Sequence, residues 1–413
     1  MSRSNIIAGL DIGTSAIRIV VAEQSSGSKK PIITGVSAIP SSGLRKGIIV
    51  DLEGVAADIS NCLEQAERAS GVQINRIVST INGEHILLQK SKSVIAVSRV
   101  DNEISQEDVN RAIDTAQAVS LSPNKAIIHV IPTSYIVDNE KNIKDPVGMH
   151  GMKLEANVLI VSGNYSFIKN LIKSINQSGL EVAEKPFVLA PLAAARSVLG
   201  KRQKELGVVL IDIGAETTGI AVYEEGALIH TKIISIGGSH ITNDIAIGLR
   251  IAIDAAEKIK RDFGYAVASD VSKKDKINLK DYDPQTDDVY ISRNYLAEII
   301  EARLEEIFEH VNKELKYIGK DGMLPEGAVL TGGGIKIPGT IDLAKKVLRL
   351  PVKIGAINDL GGIIDKISDP SFATVTGVVL WQMDQGDSEE PPIIEMIKNI
   401  FKKTVSLFKN FLP

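Results

Sequence analysis

Apolar and polar residues follow one pattern near the start of this chain and follow it again near its middle. In both places two apolar runs flank a polar segment: runs at 6–10 and 17–22 flank residues 11–15, and runs at 208–211 and 220–223 flank residues 212–218. An apolar run, a tight polar turn and a second apolar run predict a β-hairpin. The two halves of the chain are therefore predicted to be weak internal repeats.

Longer segments carry apolar residues at the spacing of a helix with one buried face. In residues 52–69 this stripe consists of Leu52, Val55, Ile59, Leu63 and Ala66. Further helices are predicted at 166–177, 189–199, from Gly237-Gly238 to 248, and at 254–263, 293–315, 340–348 and 370–383. Because these helices alternate with strand-like runs, an α/β fold is expected.

Residues 85–162 have a different pattern. Strand-like runs at 86–88 and 94–97 precede a helix that Ser105 opens, with Asp108 completing an acidic variant of the capping box. Two longer strand-like runs follow at 126–137 and 153–161. This region is predicted to form a compact β-α-β-β subdomain.

The two polar turns carry residues suited to a nucleotide. Asp11 and Asp212 can hold a hydrated Mg²⁺, which proteins usually bind through one or two carboxylates, phosphate and water. Glycine permits the sharp turn, while hydroxyl and N–H groups can cradle phosphate oxygens. The predicted phosphate-binding residues are Gly13, Thr14, Ser15, Gly214, Ala215, Glu216, Thr217 and Thr218. Either segment alone is better explained as an ordinary hairpin turn.

Two glycine clusters add to this picture. Gly332, Gly333 and Gly334 follow the apolar run 328–330 and would let the backbone approach a nucleotide closely. Gly237 and Gly238 begin a helix whose first amides could face the nucleotide, although tight packing also explains them. Two hairpins followed by a triple glycine favour a nucleotide cleft between the two halves.

Three charged residues on one predicted helix are candidates for the nucleoside pocket. Glu257, Lys260 and Arg261 lie at i, i+3 and i+4, so they share one helix face. The alternative is a solvated face with one helix ion pair, which is the commoner role of such residues.

Other kinds of site find little support. The chain has no G-x-x-x-x-G-K-[ST] motif, since residues 334–340 have the glycine spacing but lack the lysine. Its histidines show no metal-binding spacing, and one cysteine makes a zinc site improbable.

Composition narrows the class of protein. At 413 residues the chain is longer than a single hydrophobic core usually supports, so two or more domains are expected. A net charge of −4 gives no reason to expect a nucleic-acid partner, and the single Cys62 excludes an internal disulfide. The first apolar run leaves no room for a signal peptide, and no run approaches the ~20 residues that span a bilayer. A cytoplasmic protein is expected.

The order of these motifs resembles the superfamily of actin, hexokinase and the heat-shock chaperone ATPases. Within it, the chain is similar to the FtsA family of bacterial cell-division proteins over nearly its whole length. Beyond the nucleotide motifs, the resemblance includes residues 43–47, 129–132 and 227–232. It implies an actin-like fold, in which two duplicated ribonuclease H-like domains enclose a nucleotide cleft and a C-terminal amphipathic helix follows.

The resemblance also implies a domain organisation. The first actin-like domain would comprise residues 1–84 and 163–206, interrupted by an inserted subdomain at 85–162. The second would comprise residues 207–368, with an outer subdomain at about 245–310. A return helix at 369–384, a linker at 385–392 and a membrane-targeting helix at 393–413 would complete the chain.

For function, the resemblance implies ATP and Mg²⁺ as ligands and a role in cell division. Such a protein would polymerise, anchor filaments of the tubulin homologue FtsZ to the membrane and recruit later division proteins. The C-terminal peptide of FtsZ would dock on the outer subdomain of the second domain. The protein would lie at the division septum, as a peripheral protein on the cytoplasmic face of the inner membrane.

Two departures from the superfamily pattern predict slow hydrolysis. In the chaperone branch a glutamate that orients the attacking water directly precedes Pro-x-Ala-Ala-Ala, but here Ala190 precedes Pro191. Many relatives also read Asp-x-Gly-Gly-Gly-Thr-x-Asp, where this chain has Ala215, Glu216 and Gly219. Loss of a water-positioning group typically lowers a rate 10²–10⁴-fold, so ATP binding with at most slow turnover is expected.

The C-terminal segment 393–412 is predicted to form an amphipathic helix. Its apolar half includes Ile397, Ile400, Phe401, Phe408 and Phe411, and its polar half includes Lys402 and Lys403. An apolar face opposite a basic face is typical of a helix that lies on an anionic membrane surface. The alternative is a terminal helix that packs on its own domain or on a partner.

Two other functions stay open. A small-molecule kinase of the same fold would need a catalytic aspartate in the cleft, and no candidate beyond the phosphate-turn acids is found. An actin-like adaptor of a pilus-assembly machine would leave the family-like motifs and the C-terminal helix unexplained.

Overall fold

The computed structural model describes residues 5–24, 30–118, 122 and 124–384. The chain opens with β1 (Asn5–Ile12), β2 (Ala16–Gln24), β3 (Ile32–Pro40), β4 (Leu44–Arg45), β5 (Ile48–Ile49), α1 (Leu52–Ser70) and β6 (Arg76–Ile81). The predicted helix at 52–69 is confirmed as α1. Asp51 caps it by accepting a hydrogen bond from the Gly54 amide, and Gly71 ends it at φ 73°.

The next part of the chain forms a separate sheet. It consists of β7 (Leu87–Ala96), α2 (Gln106–Gln117), β8 (Lys125–Val137), β9 (Glu140–Ile143) and β10 (Lys153–Asn164). The strands are antiparallel in the order β7-β10-β8-β9, and α2 packs on them. Ser105 and Asp108 form the predicted capping box.

The predicted β-α-β-β order lacks one strand. The runs at 86–88 and 94–97 fall on a single strand before α2, because β7 (Leu87–Ala96) continues through the polar residues 89–93. The short edge strand β9 was missed, since only one of its four residues is apolar.

The chain then returns to the first sheet. Four elements follow: α3 (Tyr165–Gln177), β11 (Glu181–Leu189), α4 (Ala190–Val198) and α5 (Lys201–Leu206). Neither β11 nor α5 was predicted. β11 carries charged residues and Pro186, and its pairing with β6 is interrupted between Val182 and Phe187. A proline is tolerated there because β11 lies at the edge of its sheet.

The second half of the chain contains the remaining elements. They are β12 (Val208–Ile213), β13 (Thr218–Glu224), β14 (Ala227–Ile234), α6 (Gly238–Leu249), α7 (Ile253–Phe263), β15 (Lys276–Asn278), β16 (Tyr290–Ser292), α8 (Arg293–Tyr317), β17 (Ala328–Thr331), α9 (Thr340–Leu348), β18 (Val352–Ile354), β19 (Gly361–Gly362) and α10 (Ala373–Asp384). The predicted helices at 254–263, 293–315 and 340–348 are confirmed as α7, α8 and α9.

The two main sheets are built alike. The first has the order β11-β6-β1-β2-β3-β19, and the second has the order β14-β13-β12-β17-β18. In each sheet an antiparallel hairpin lies beside a parallel strand: β1–β2 beside β6, and β12–β13 beside β17. This duplication confirms the internal repeat and the actin-like α/β fold that the sequence predicts.

The helix α10 returns the chain to the first sheet. Its residues from Ala373 to Leu380 are all buried between that sheet and α4. Two glycines permit this close packing, since a Cβ at Gly377 would lie 1.8 Å from the Ala193 carbonyl oxygen and one at Gly9 would lie 3.0 Å from that of Val375. None of the helices within the described ranges is long and apolar enough to cross a membrane.

Candidate functional site

The two predicted hairpin turns line one cleft of about 710 Å³. Each turn is closed by a backbone hydrogen bond, from Gly13 to the carbonyl of Ala16 (3.1 Å) and from Gly214 to that of Thr217 (2.9 Å). The volume lies within the range of about 300–1,000 Å³ that is usual for small-molecule sites.

Most of the predicted site residues line this cleft. They are Asp11, Gly13, Thr14, Ser15, Asp212, Gly214, Ala215, Thr217, Gly238, Glu257, Lys260, Arg261, Gly332, Gly333 and Gly334. The structure therefore brings together residues from the first hairpin, the second hairpin, α6, α7 and the triple glycine.

Three predicted nucleotide ligands do not line the cleft. Thr218 is fully buried, and its hydroxyl donates to the carbonyl of Ile236 (2.7 Å). Gly237 packs on the second turn, because a Cβ there would lie 2.6 Å from the Gly214 carbonyl oxygen. Glu216 directs its carboxylate to the backbone of Lys46 in the first domain.

The start of α6 supports the second turn. The amide of Gly238 donates to the Gly214 carbonyl (2.9 Å), and that of Ser239 donates to the Ala215 carbonyl (2.7 Å). The tight-packing explanation of Gly237 and Gly238 is the one that these contacts favour.

Asp11 is held by two neighbours. Its carboxylate accepts a 2.8 Å hydrogen bond from the Thr80 hydroxyl and lies 3.8 Å from the Arg18 guanidinium. Burial raises the pKa of Asp11 above its usual value, although Arg18 and Thr80 act in the opposite direction. The Arg18 guanidinium stacks over Phe372, and its Nε has no hydrogen-bond partner among the described residues.

Asp212 is the counterpart of Asp11 in the second hairpin. Its pKa is raised to about 6, mainly by burial and also by the negative charge of Asp11, while the hydrogen bond from Thr374 and the charge of Arg18 act in the opposite direction. The two carboxylates therefore repel each other across the cleft.

This donor set fits a divalent cation. Two facing carboxylates with only partial compensation from Arg18 gain from an added positive charge, and Mg²⁺ accepts one or two carboxylates while keeping several waters. Among the described residues no group of three or more His, Cys, Asp or Glu side chains could hold a metal ion. Phosphate and water would have to complete its coordination.

The three glycines of the late cluster have different roles. Gly332 has φ +89°, and a Cβ there would lie 2.4 Å from Oδ1 of Asp212. A Cβ at Gly334 would lie 2.5 Å from the Ile213 side chain, whereas one at Gly333 would meet nothing within 4 Å. Gly332 and Gly334 are therefore required for packing, and Gly333 leaves room for a ligand.

The charged residues on α7 form a network. The Glu257 carboxylate accepts hydrogen bonds from Thr242 (2.5 Å) and Arg261 (2.7 Å) and pairs with Lys260 at 2.6 Å. Burial opposes the ionisation of Glu257, but hydrogen bonds from Lys260, Thr242 and Arg261 outweigh it and lower the pKa of this carboxyl. The alternative of a simple solvated face is therefore not favoured, since Lys260 is mostly buried and Glu257 is half-buried, although Arg261 is exposed.

Several cleft residues were not predicted from the sequence. They are Arg18, Asn82, Thr242, Lys336 and Thr374, together with Thr80 behind Asp11. Thr80 lies near the end of β6, which runs parallel to β1, and a buried polar residue at the end of such a strand could have indicated the site. Thr374 lies in a helix far along the chain from Asp212, and only the fold brings the two residues together.

Two further predictions concern Ala190 and the C-terminal segment. Ala190 begins α4 and lines the cleft, so no carboxylate occupies that position. The membrane-facing residues Ile397, Ile400, Phe401, Lys402, Lys403, Phe408 and Phe411 lie outside the described residues.

Sequence comparisons match two parts of the chain to family models. Residues 209–377 match "Cell division protein FtsA", and residues 83–162 match "SHS2 domain inserted in FTSA". The FtsA of Pseudomonas aeruginosa is 34% identical over 411 residues, which is 95% of this chain and 96% of that protein. The FtsA of Bacillus subtilis is 37% identical over 379 residues, which is 92% of this chain and 84% of that protein.

Solved structures share the fold at lower sequence identity. The PilM-PilN type IV pilus biogenesis complex has a TM-score of 0.66 at 16% identity, covering 91% of this chain and 98% of that chain. MreB5 of Spiroplasma citri bound to ADP has a TM-score of 0.52 at 14% identity, covering 92% of this chain and 97% of that chain. At such identity these similarities concern the fold alone.

Proposed function

Because the chain belongs to the FtsA family of cell-division proteins, we propose that it binds ATP and Mg²⁺ in the cleft and polymerises in a nucleotide-dependent way. The observation that carries this proposal is that both Asp-x-Gly turns line the same cleft, together with Gly333, which has open space beside it. The turns would hold the phosphates, and the network on α7 would line the nucleoside end.

Asp11 and Asp212 would hold Mg²⁺ through water, and the ion would neutralise phosphate charge. The residues of this chain orient the two carboxylates: Thr80 and Arg18 restrain Asp11, and Thr374 restrains Asp212. With Ala190 in place of a water-orienting glutamate, nucleotide binding is favoured over rapid hydrolysis.

The proposal includes FtsZ as a partner on the outer subdomain at about 245–310. Ile247 is 76% exposed, Ile253 59%, Tyr290 58% and Tyr295 44%. The proposal places the FtsZ peptide in the part of the second domain where these large apolar side chains are exposed.

Polymerisation into filaments would make membrane attachment depend on nucleotide binding. A single amphipathic segment at 393–413 would bind an anionic membrane reversibly. A polymer would present many such segments to one surface and so raise the avidity without any new contact. Membrane-bound filaments would then anchor FtsZ at the division site and recruit later division proteins.

A vesicle flotation assay with purified FtsZ tests this proposal. With ATP and anionic vesicles, the full chain is expected to carry FtsZ into the floating fraction. A chain that ends at residue 392 should leave both proteins at the bottom, and omission of ATP should reduce recovery. Equal recovery of FtsZ with and without the full chain would contradict the proposal.

The pilus-adaptor alternative rests on a structural similarity that concerns the fold alone. Family membership favours cell division over it. Phosphorylation of glucose or glycerol by the pure protein would instead support the kinase alternative.

A further inference from the structure

Glu216 makes a contact across the cleft that its place in a phosphate turn does not explain. Its Oε2 accepts a 2.5 Å hydrogen bond from the backbone amide of Lys46. Glu216 belongs to the turn between β12 and β13, whereas Lys46 belongs to the turn between β4 and β5. The contact therefore joins the second domain to the first.

Two more hydrogen bonds join the same parts of the two domains. Asn82 donates from its side-chain amide to the Thr217 hydroxyl (3.1 Å). Ser235 donates from its hydroxyl to the Glu84 carboxylate (2.8 Å). Three polar contacts thus connect the segments around residues 46 and 82–84 with the second hairpin and the end of β14.

The first-domain side of these contacts is one packed unit. Lys46 (φ 49°) and Gly47 (φ 73°) form the turn between β4 and β5. A Cβ at Gly47 would lie 3.0 Å from the backbone of Gly83, so this turn rests directly on the segment that carries Asn82. Both Gly47 and Asn82 line the cleft. A movement of this unit would therefore change the opening beside the second phosphate turn.

We propose that Glu216 is a positioning residue that latches the turn at Lys46–Gly47 over the phosphate end of the cleft and slows the release of bound nucleotide. Asn82 and Thr217 support the latch from inside the cleft. This inference rests on the proposed nucleotide site. It also accounts for a carboxylate beside the phosphates, because the Lys46 amide holds that carboxylate away from the cleft lining.

The strength of the latch can be bounded. Hydrogen bonds to charged groups contribute more to stability than hydrogen bonds between neutral groups. Glu216 is only half-buried, and Lys46 is exposed, so water weakens the contact. We expect removal of the carboxylate to increase the equilibrium constant for opening of the latch about three- to tenfold.

Hydrogen exchange of the nucleotide-free protein tests the contact by itself. In Glu216→Ala, the Lys46 amide should exchange about three- to tenfold faster than in the wild type. Glu216→Gln keeps an acceptor oxygen and should restore most of the protection. Glu298→Ala removes an exposed carboxylate from α8 and should leave exchange at Lys46 unchanged. Equal exchange at Lys46 in the wild type and in Glu216→Ala would overturn the latch.

Stopped-flow release of a fluorescent ATP analogue tests the consequence. Glu216→Ala should raise the dissociation rate constant about three- to tenfold and change the association rate constant less than twofold, and Glu216→Gln should lie near the wild type. A purely structural defect would lower the melting temperature without this split. Unchanged dissociation in Glu216→Ala would overturn the retention role even if exchange at Lys46 increases. If the wild type binds no analogue, the nucleotide site and the retention role both fail, while hydrogen exchange still decides whether the contact exists.

Discussion

The hydroxyl of Thr374 donates a 2.9 Å hydrogen bond to Oδ2 of Asp212. Thr374 lies in the first turn of α10, which packs on the sheet of the first domain, whereas Asp212 is the penultimate residue of the first strand of the second domain. Nearby, the Pro370 carbonyl accepts from the Thr331 hydroxyl (3.0 Å) and the Gly332 amide (3.3 Å). The return helix and the loop before it therefore fix the carboxylate that the proposal assigns to Mg²⁺.

Replacement of Thr374 by valine tests this relationship. Thr374→Val keeps the shape of the side chain but removes the hydrogen bond to the Asp212 carboxylate, and bonds to charged groups are worth about 1.5–3 kcal/mol. We expect Mg²⁺-dependent ATP affinity to fall about tenfold in isothermal titration. Thr376→Val is the matched control, because the Thr376 hydroxyl contacts only the Phe372 and Ala373 carbonyls. Equal affinity losses in both variants would show that the Asp212 contact has no special role.

The raised pKa of Asp212 makes stability depend on pH. Its folded-state pKa of about 6 exceeds the unfolded value of 3.8. Its contribution to stability is therefore complete below the unfolded pKa and is lost as the pH rises through about 6. At pH 8 without nucleotide, Asp212→Asn should raise the free energy of unfolding by at most about 3 kcal/mol, because it removes a charge that burial disfavours.

Urea unfolding of the nucleotide-free protein at pH 8 and pH 4.5 measures this effect. The advantage of Asp212→Asn over the wild type should shrink at the lower pH, where the wild-type carboxyl is protonated in the folded state. An advantage of equal size at both pH values would contradict the assigned pKa.

Steady-state turnover tests the consequence of Ala190. The cleft has no carboxylate at that position, so hydrolysis should be well below the ~10 s⁻¹ that is the median for enzymes. A parallel preparation of Asp212→Ala gives the background from contaminating ATPases. A rate at or above that median in the wild type, absent from Asp212→Ala, would refute slow turnover.

Membrane attachment is predicted to depend on the apolar half of the C-terminal segment. Phe401→Glu or Phe408→Glu should release the protein from anionic vesicles, because each apolar side chain contributes about 1.5–3 kcal/mol when fully buried. Raised salt should only weaken binding, since each lysine contributes about 1 kcal/mol. Asn399→Glu adds the same charge to the polar half and should leave most of the protein bound. Loss of flotation in all three variants alike would show that net charge, not the apolar half, controls binding.

The sequence predicted the elements whose patterns are local. The single apolar stripe of α1 and the repeated apolar-turn-apolar pattern of the two hairpins depend on neighbouring residues, and both are confirmed. β9 and β11 escaped prediction, because an edge strand does not need a continuous apolar run.

Much of the site geometry lies beyond local patterns. The partners of Asp212 and Glu216 are Thr374 and the Lys46 amide, which are distant in the sequence and meet only through the two-domain fold. The different roles of Gly332 and Gly333 likewise could not be distinguished from the sequence, where both are simply members of one glycine cluster. Only the surrounding atoms show that Gly332 is required for packing and that Gly333 faces open space.

Isothermal titration with Mg²⁺ and ATP tests the central claim most directly. The wild type and the control Asp114→Ala, which removes an exposed carboxylate from α2, should bind ATP with equal affinity. Asp212→Ala and Gly333→Val should lose binding while they keep a cooperative thermal transition, since the first removes a cleft carboxylate and the second fills open space. Unchanged ATP affinity in both variants would show that the nucleotide does not bind between the two hairpins.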